Sequence, residues 1–259
     1  MTLPVLQSPL LSSLAGVKHA FFTRRGGVSK GIYAGLNVGR GSKDDPEAVL
    51  RNRALAADWF GVETSHLFSA YQVHSSLAQV VEGPWANPPE VDALVTARPG
   101  LVCGALSADC APILIADPVA RVVASVHAGW RGAIGGVIAD AVRTMASLGA
   151  EPARMVAAVG PCIGPASYEV GLEFLERFLA EAPGSQRFFA PGARGDKRLF
   201  DLPGFVLSQI AAAGIETAEW IGADTCANET DFFSNRRAVL RAEGDYGRLL
   251  SAIMLENEG

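Results

Sequence analysis

The sequence predicts an α+β fold: a single domain, residues 1–259, in which packed mixed β-sheets are flanked by helices. Two patterns predict it. Short apolar runs joined by tight turns alternate with helical segments as hairpins do, rather than in strict βαβ order. No stretch rich in Pro, Gly and Ser divides the chain, and 49% hydrophobic against 19% charged residues is ample for one core, which excludes a disordered chain.

Composition and local sequence also indicate which classes of binding partner and which cellular compartment are expected. The formal net charge of -5 lacks the Lys/Arg excess that binds the phosphates of a nucleic acid. No window has about 18 consecutive apolar residues, so no membrane span is expected. Residues 1–22 have no basic residue before Lys18 and are interrupted by Pro4 and Pro9, unlike a signal peptide. The four Cys form no CxxC pair, so free thiols in the cytoplasm are expected.

The first two elements are a β-prone segment and a helix. Residues 21–29 begin as a strand and run into a Gly-rich turn. A helix is predicted over residues 46–60. Asp45 is its N-cap, Pro46 lies in its first turn, and Gly61 ends it.

Five strands follow, predicted from short apolar runs bounded by polar or turn residues. They cover residues 66–73, 76–82, 101–106, 112–116 and 121–126. The last two form a hairpin across a tight turn, and a second turn, which contains Cys110, precedes that hairpin.

The second half of the chain alternates helices and strands. Residues 127–132 open a helix of about fifteen residues that ends at Gly149. The remaining elements are a buried strand at 155–159, helices near 170–180 and 202–213, and a strand near 216–221, and a polar stretch through Asn235 completes the chain.

Three residues are placed where a metal site is expected. His74 lies between two predicted strands, Cys110 in the turn after a strand, and His127 at the end of another strand. Residues at strand ends share a cleft edge and are held by a rigid sheet. One Cys and two His suit Zn²⁺, and three protein ligands leave a fourth position for water or substrate, as in catalytic zinc sites. Water bound to such an ion ionises near neutral pH and acts as nucleophile or base.

Two other interpretations use the same residues. A lone Cys between apolar strands is usually a small buried hydrophobe, a lone His usually a hydrogen-bonded residue, and no HxxxH or CxxC pair supports the metal. Alternatively, Cys110 is a thiolate nucleophile and His127 its base, oriented by Asp109, as in a cysteine hydrolase. His74 separates these chemistries, because a metal site needs it and a Cys–His dyad does not.

A candidate anion site lies at the Gly-rich turn of residues 129–132. Its glycines do not match GxGxxG, so a dinucleotide site is not indicated. Backbone N–H groups at the start of the predicted helix, together with Arg131, suit a phosphate or carboxylate. The alternative is a Gly-rich turn needed only for close packing. Further arginines that can meet anions, although such pairs are usually solvated, are Arg24 and Arg25 (with Asn37) and Arg236 and Arg237.

A series of short motifs in a fixed order extends over nearly the whole chain. They are residues 22–29 (FTRRGGVS), 36–39 (LNVG), 44–47 (DDPE), 72–74 (QVH), 108–110 (ADC), 127–132 (HAGWRG), 160–164 (GPCIG), 168–170 (YEV) and 232–234 (FFS). In these motifs the sequence resembles the laccase-domain family, also described as multicopper polyphenol oxidase-like proteins and as bacterial purine nucleoside phosphorylases of the YfiH type.

The resemblance implies a zinc ion bound by the His of QVH, the Cys of ADC and the first His of HAGWRG, here His74, Cys110 and His127. It implies a single α+β domain of packed mixed sheets, similar to the cysteine-hydrolase toxin and YfiH-like fold. Family members are credited with phosphorolysis of adenosine, inosine, guanosine and methylthioadenosine, with deamination of adenosine, and in some cases with correcting peptidoglycan precursors. The oxidase name fits poorly, because a multicopper oxidase needs many more than the four His present.

The sequence therefore predicts a zinc-dependent purine nucleoside phosphorylase with adenosine deaminase side activity. Arg131, and less directly Arg25, would hold phosphate. Asn37 and Gln72 would bind ribose or base, and Asp109 would carry a proton or orient a ligand. The expected partners are a purine nucleoside and phosphate, and the expected state is a monomer. The alternatives are a cysteine or zinc hydrolase acting on a peptidoglycan precursor and a non-catalytic zinc-binding protein.

Overall fold

Two β-sheets packed face to face form the centre of the structure, a computed structural model that describes residues 3–257. The strands, in chain order, are β1 (Val5–Leu6), β2 (Val17–Phe22), β3 (Leu67–Ser69), β4 (Ala78–Val80), β5 (Ala93–Thr96), β6 (Val102–Ser107), β7 (Ala111–Asp117), β8 (Val122–Ala128), β9 (Val156–Val159), β10 (Glu169–Gly171), β11 (Phe189–Pro191), β12 (Lys197–Phe200), β13 (Thr217–Trp220) and β14 (Leu249–Leu255). The α-helices are α1 (Pro9–Ser12), α2 (Pro46–Phe60), α3 (Trp130–Gly135), α4 (Val137–Ser147), α5 (Leu172–Glu181), α6 (Leu202–Ala212) and α7 (Asn235–Leu240). Within residues 3–257, none of these helices is long and apolar enough to cross a membrane.

The two large sheets are mixed. The five-stranded sheet has the order β1-β2-β14-β6-β3, and the six-stranded sheet has the order β13-β9-β7-β8-β5-β4. In the first, β3 runs parallel to β6, and in the second β4–β5 and β9–β13 are parallel pairs. A small antiparallel sheet, β10-β12-β11, contacts α5. The predicted α+β fold with mixed sheets and flanking helices is confirmed.

Apolar side chains fill three layers separated by the two sheets. Because successive side chains of a strand point to opposite faces, β7 contributes to two of these layers. Its Ile113 and Ile115 pack with α4 and α6, whereas Leu114 belongs to the layer between the sheets. In that middle layer it joins Phe21 of β2 and Ile253 of β14. The third layer lies between the five-stranded sheet and α2. The central strands are therefore buried on both faces.

The predicted helix at residues 46–60 is confirmed at both ends. The Asp45 carboxylate accepts a hydrogen bond from the Glu47 N–H at 3.0 Å, and Pro46 occupies the first helical position. Gly61 follows the helix with φ +79°, a left-handed conformation that glycine adopts without steric cost. Capping by neighbouring residues explains why sequence alone located this helix.

The predicted strand at residues 66–73 is wrong beyond Ser69, where β3 ends. The Tyr71 N–H donates to the Pro89 carbonyl at 2.9 Å. The Gln72 side chain pairs with both backbone groups of Leu106, donating to the carbonyl and accepting from the N–H, each at 2.7 Å. These contacts take the chain out of the sheet and turn residues 70–77 into a loop.

The single helix predicted between residues 127 and 149 is two helices. Gly136, between α3 and α4, has φ +93° and donates its N–H to the Gly132 carbonyl. This left-handed residue ends α3 after six residues. The chain then restarts as α4, whose last turn is followed by Gly149 in a similar conformation.

Several elements lie where none was predicted from the sequence: β1, α1, β5, β11, β12, β14 and α7. Of these, β14 matters most, because it pairs with β2 on one side and β6 on the other and all seven of its residues are buried. The predicted domain range of residues 1–259 stays a prediction, and its residues 1, 2, 258 and 259 lie outside the described residues.

A buried histidine on β2 makes stability depend on pH. His19 has no exposed surface, and its Nε2 accepts a hydrogen bond from the Ser8 N–H at 2.9 Å. Its Nδ1 has no hydrogen-bond partner among the described residues. Burial lowers the pKa of His19 from 6.5 to about 4, with partial compensation by Glu219. The unfolded chain therefore binds a proton between these pH values that the folded protein does not.

We expect acid to destabilise the protein through this residue. Stability attributed to neutral His19 is complete above pH 6.5 and falls by about 3 kcal/mol as pH is lowered to about 4. His19→Gln keeps an acceptor near the Nε2 position but does not titrate, so the pH dependence of its unfolding free energy becomes shallower. Urea unfolding at several pH values from 7 to 5 measures both slopes. Equal slopes for the two proteins would contradict the assignment.

Candidate metal centre

The three predicted metal ligands meet at the junction between the two large sheets. Within the described residues the chain passes from the five-stranded to the six-stranded sheet twice, from β3 to β4 and from β6 to β7. The first link carries His74 and the second carries Cys110. His127 lies on β8, beside β7 in the six-stranded sheet. Residues far apart in sequence are thus brought to one sheet edge by the topology.

The donor atoms of these residues form a compact group. One ligand atom each from His74, Cys110 and His127 lies within 4.8 Å of the others. Cys110 Sγ is 3.9 Å from His74 Nε2, and the two imidazole rings have centroids 5.0 Å apart. His127 is 4% exposed, whereas His74 is exposed. One side of the group is therefore embedded in protein and the other opens to solvent.

This donor set fits a four-coordinate zinc ion. Bond lengths of about 2.0–2.1 Å to nitrogen and about 2.3 Å to sulfur place neighbouring tetrahedral ligand atoms roughly 3.5 Å apart. The Cys110 Sγ–His74 Nε2 distance of 3.9 Å is close to that value, and the other separations, up to 4.8 Å, would have to shorten by as much as about 1 Å. Two imidazoles and one thiolate leave one coordination position open. The arrangement matches the ligand number of a catalytic rather than a structural site.

Asp92 supports two of the three ligands at once. Its Oδ1 lies 2.8 Å from His127 Nδ1. Its Oδ2 accepts hydrogen bonds from the Ser75 N–H at 2.6 Å, the Ser75 hydroxyl at 2.8 Å and the Val73 N–H at 3.2 Å. The first contact places the proton of neutral His127 on Nδ1 and leaves Nε2 free to bind a metal. The others hold the loop of His74, whose φ of +58° is unusual for a non-glycine residue.

Asp92 also explains part of the site's electrostatics. It is 2% exposed, and although burial raises the pKa of its carboxyl, hydrogen bonds from His127 and Ser75 hold that pKa below its usual range. Asp92 was not among the site residues predicted from the sequence. It lies immediately before β5, and the His127 N–H donates to the Asp92 carbonyl at 2.7 Å. The feature of the sequence that could have identified Asp92 is a polar residue directly before the apolar run of residues 93–96.

Cys110 and His127 form a coupled pair. Burial raises the pKa of the Cys110 thiol, but His127 and His74 lower it more, so the net direction is downward. Burial lowers the pKa of His127, but the Cys110 thiolate and Asp92 raise it more. The pair thus favours thiolate, which is the form of cysteine that binds metals and attacks electrophiles.

Gly129 allows the ligands to approach each other. A Cβ at this position would lie 2.9 Å from Cys110 Sγ and 3.1 Å from His74 Cδ2. Both distances are below ordinary van der Waals contact, so the absence of a side chain is required here. The Gly-rich turn of residues 129–132 therefore serves close packing around the cluster.

We expect Gly129→Ala to weaken metal binding by about tenfold or more, comparable to the loss of a residue that supports a ligand. The added methyl group would displace Cys110 or His74 from the distance seen here. Gly135→Ala is the matched control, because its Cβ would meet only Ser76 Cβ at 3.7 Å. Metal affinity measured by competition with a chromogenic chelator tests both variants. Equal affinities for the two variants would contradict the steric argument.

Asn37 and Gln72, the predicted ribose or base contacts, are engaged within the protein. Asn37 has no exposed surface; its amide donates to Ser42 and Asp44 side chains and accepts from the Gly39 and Arg248 N–H groups. Gln72 is occupied by the backbone of Leu106, as described above. Asn37 lines neither of the clefts beside the cluster, and its amide holds the surrounding loops. Gln72 lines one of these clefts, so its contact with a nucleoside stays a prediction.

Arg25 and Asp109 are also engaged by other residues of the protein. Arg25 forms an ion pair with Asp231 and lines neither of the clefts beside the cluster. Asp109 is 7% exposed and accepts hydrogen bonds from the Thr225 and Ser234 hydroxyls and from the Arg236 N–H. The carboxylate that orients His127 is Asp92, not Asp109.

Two clefts open on either side of the cluster, and His74 and Cys110 line both. The small cleft has a volume of about 210 Å³, and its further wall residues include Arg131, Tyr168 and Arg236. The large cleft has a volume of about 360 Å³, and its further wall residues include Tyr71, Pro88, His127, Tyr246 and Arg248. Of the predicted substrate contacts, Arg131 lines the small cleft and pairs with no carboxylate among the described residues, and Gln72 lines the large cleft.

Comparison with known proteins gives a consistent picture. The sequence model of a family described as "Multi-copper polyphenol oxidoreductase laccase" matches residues 18–256. A Streptomyces griseus protein named purine nucleoside phosphorylase is 40% identical over 248 residues, covering 94% of this chain and 96% of the relative. A purine nucleoside phosphorylase of Deinococcus radiodurans is 40% identical over 253 residues, covering 98% and 93%.

Solved structures agree with these sequence relationships. The crystal structure of the hypothetical protein YfiH from Bacillus licheniformis has a TM-score of 0.88 at 28% identity, covering 98% of this chain and 99% of that one. A Neisseria meningitidis protein has a TM-score of 0.84 at 31% identity, covering 99% and 100%. The YfiH-like part of the predicted fold is confirmed, and the likeness to cysteine-hydrolase toxins stays a prediction.

Proposed function

The chain belongs to the multi-copper polyphenol oxidoreductase laccase family, and we propose that it is a zinc-dependent purine nucleoside phosphorylase. The observation that carries the proposal is the cluster of His74, Cys110 and His127 between two clefts, in a chain similar over nearly its whole length to relatives of that name. The substrates are adenosine, inosine, guanosine and methylthioadenosine, with slow deamination of adenosine. The protein acts in the cytoplasm, as a monomer.

In phosphorolysis a phosphate oxygen forms a bond to C1′ of the ribose as the C1′–N9 bond breaks. The electron pair of the broken bond stays on the purine, which takes up a proton, and the products are the free purine and ribose 1-phosphate. A zinc ion held by the three ligands supplies Lewis acidity that stabilises negative charge next to the reacting centre. Asp92 holds His127 in the tautomer that leaves Nε2 free.

Arg131 and Arg236 act on the phosphate. Guanidinium groups match the oxygens of phosphate and offset the repulsion between the nucleophile and other charges in the site. Asp109 holds Arg236 by its backbone N–H at 2.6 Å. Because both oxygens of Asp109 already accept hydrogen bonds, it positions the start of α7 rather than carrying a proton.

Zinc is favoured over copper redox chemistry by the donor inventory. The chain has four His in total, and His19 is buried on β2. A multicopper oxidase combines a blue copper site with further His-rich copper sites. The group of His74, Cys110 and His127 could supply ligands for one such site, and too few His remain for the others.

A phosphate-dependence assay with metal analysis tests the proposal. The protein loaded with zinc is expected to release purine from adenosine and inosine only when phosphate is present, with ribose 1-phosphate as coproduct. Removing the metal with a chelator should abolish turnover, and zinc should restore it. Release of purine that needs no phosphate, or that survives metal removal, would overturn the proposal.

A cysteine hydrolase is the second candidate, and the series Cys110–His127–Asp92 favours it. A thiol, an imidazole and a carboxylate in contact are the parts of a nucleophilic triad. The substrate would be an amide or ester of a peptidoglycan precursor. Hydrolysis that persists in His74→Ala and in chelator would support this candidate, because the triad does not use His74. Full metal occupancy without turnover of any substrate would instead indicate a zinc-binding protein.

A further inference from the structure

We propose that the two clefts divide the substrates of the phosphorolysis: phosphate occupies the small cleft and the nucleoside occupies the large cleft. The inference rests on the proposed function and assigns a subsite to each reactant. It follows from where the cluster stands, from the charges of the small cleft, and from the size and aromatic surface of the large cleft.

The cluster forms the wall between the clefts. His74, Cys110 and Ala108 line both, whereas His127 faces only the large cleft. An entering phosphate and a departing purine occupy opposite faces of C1′ in a displacement, since the forming and breaking bonds are roughly in line. Two clefts that meet at one metal cluster provide those two faces.

The small cleft carries positive charge that the protein does not neutralise. Arg131 lies over the Trp130 ring, 5.2 Å from its centroid, and pairs with no carboxylate among residues 3–257. Arg236 lies over the Tyr168 ring at 5.2 Å and donates to the Glu169 carbonyl.

The carboxylate in this wall is Asp109, and hydrogen bonds from three donors already occupy it. Two guanidinium groups held over aromatic rings are well placed for bidentate binding of a phosphate dianion.

The large cleft is better suited to a nucleoside. Its volume of about 360 Å³ lies within the range usual for small-molecule sites, whereas the 210 Å³ of the small cleft lies below it. Tyr71 lines this cleft and is 63% exposed, so its ring is accessible to a ligand there. With Tyr246 it offers rings on which a purine can stack.

Charge in the large cleft does not favour phosphate as strongly. The Arg248 guanidinium is 3.4 Å from an Asp245 oxygen and donates to the Tyr246 carbonyl at 2.9 Å, so its charge is partly neutralised. Arg40 also lines this cleft and adds one positive charge near its exposed rim. The assignment of the nucleoside to the large cleft therefore rests on the size and aromatic surface of that cleft rather than on its charge.

Steady-state kinetics of the zinc-loaded protein tests the assignment of phosphate to the small cleft and of the nucleoside to the large cleft. Two variants are compared with the wild type, and each changes an exposed side chain. Arg131→Ala should raise the KM for phosphate by about tenfold or more and leave the KM for inosine within about twofold. Tyr71→Ala should raise the KM for inosine by about tenfold and leave that for phosphate within about twofold. Tyr71→Phe keeps the ring and should restore the wild-type KM for inosine.

Two control variants remove exposed side chains away from the clefts. Arg51→Ala removes an exposed arginine of α2, and Val119→Ala removes an exposed apolar side chain in the turn between β7 and β8. Both should leave each KM unchanged. The division is overturned if Arg131→Ala acts on inosine and Tyr71→Ala on phosphate, or if each variant raises both KM values equally.

One further measurement distinguishes an incorrect assignment of the two clefts from an incorrect proposed function. If the wild-type protein cleaves nucleosides without phosphate, phosphorolysis is wrong, and the phosphate subsite is wrong with it. Calorimetric binding of inosine alone, without phosphate, still tests the large cleft. Weaker binding by Tyr71→Ala than by Arg131→Ala supports the nucleoside subsite, and equal binding by the two variants rejects it.

Discussion

Cys110→Ser is expected to abolish stable metal binding and, with it, phosphorolysis. A neutral hydroxyl is a poor ligand for zinc, and its loss leaves two imidazoles to hold the ion. The fall in metal affinity should exceed about 100-fold, the upper end of what is lost when only a supporting residue is removed. Metal content after dialysis and affinity by chelator competition measure the effect, and nucleoside turnover at a fixed zinc concentration should fall in parallel.

Two control variants distinguish ligand loss from general damage. Cys226→Ser changes another free cysteine that is partly exposed and lies outside the cluster. His66→Ala is the counterpart of His74→Ala, because His66 is a partly exposed histidine whose ring contacts the Ser65 hydroxyl. Both controls should keep full metal content. A Cys110→Ser protein that binds zinc as tightly as the wild type would show that the cluster is not the metal site.

Asp92→Asn is expected to have the next largest effect, a loss of about 10–100-fold in metal affinity. The carboxylate accepts hydrogen bonds on both oxygens, from His127 on one and from Ser75 and Val73 on the other. An amide has only one accepting oxygen, so its NH₂ group must face a donor on one side. Either His127 loses its orientation or the loop of His74 loses its hydrogen bonds.

The absorption of the cobalt-substituted protein separates these effects from a loss of stability, because its bands report on ligand geometry. We expect Asp92→Asn to shift those bands as well as to weaken binding. Asp140→Asn is the control, since Asp140 also binds a backbone N–H, that of Ala78 at 2.8 Å, but contacts no ligand. A less stable Asp92→Asn protein with unchanged bands and unchanged affinity would make Asp92 a structural residue only.

Local signals account for what the sequence predicted well. The helix α2 is specified by a capping Asp, a first-turn Pro and a terminal Gly, all adjacent to it in sequence. The hairpin of β7 and β8 is specified by its own turn. The three residues of the cluster were identifiable because few His and Cys are present and each stands beside a strand end.

The errors come from contacts between distant segments. Asp92 reaches His127 only because β5 pairs with β8, a pairing that no local pattern encodes. Asn37 and Gln72 stand in motifs, but a motif does not reveal which groups of the protein itself an amide side chain binds. Arg25 pairs with Asp231, about two hundred residues away in sequence. The positions of the motifs thus indicated which segments lie near the site. Only the fold shows which of their residues can contact a substrate and which support the structure of the site.

The central place of β14 has a consequence for folding during synthesis. β6 ends at Ser107, whereas its partner β14 begins at Leu249. On a ribosome working at 5–20 residues per second, β6 therefore waits roughly 7–30 s, and β2 roughly 11–45 s, for the strand that joins them. The strands of the six-stranded sheet have all been made by Trp220. Nascent chains consequently expose two unpaired strand edges, which are the sites where chaperones or aggregation act first.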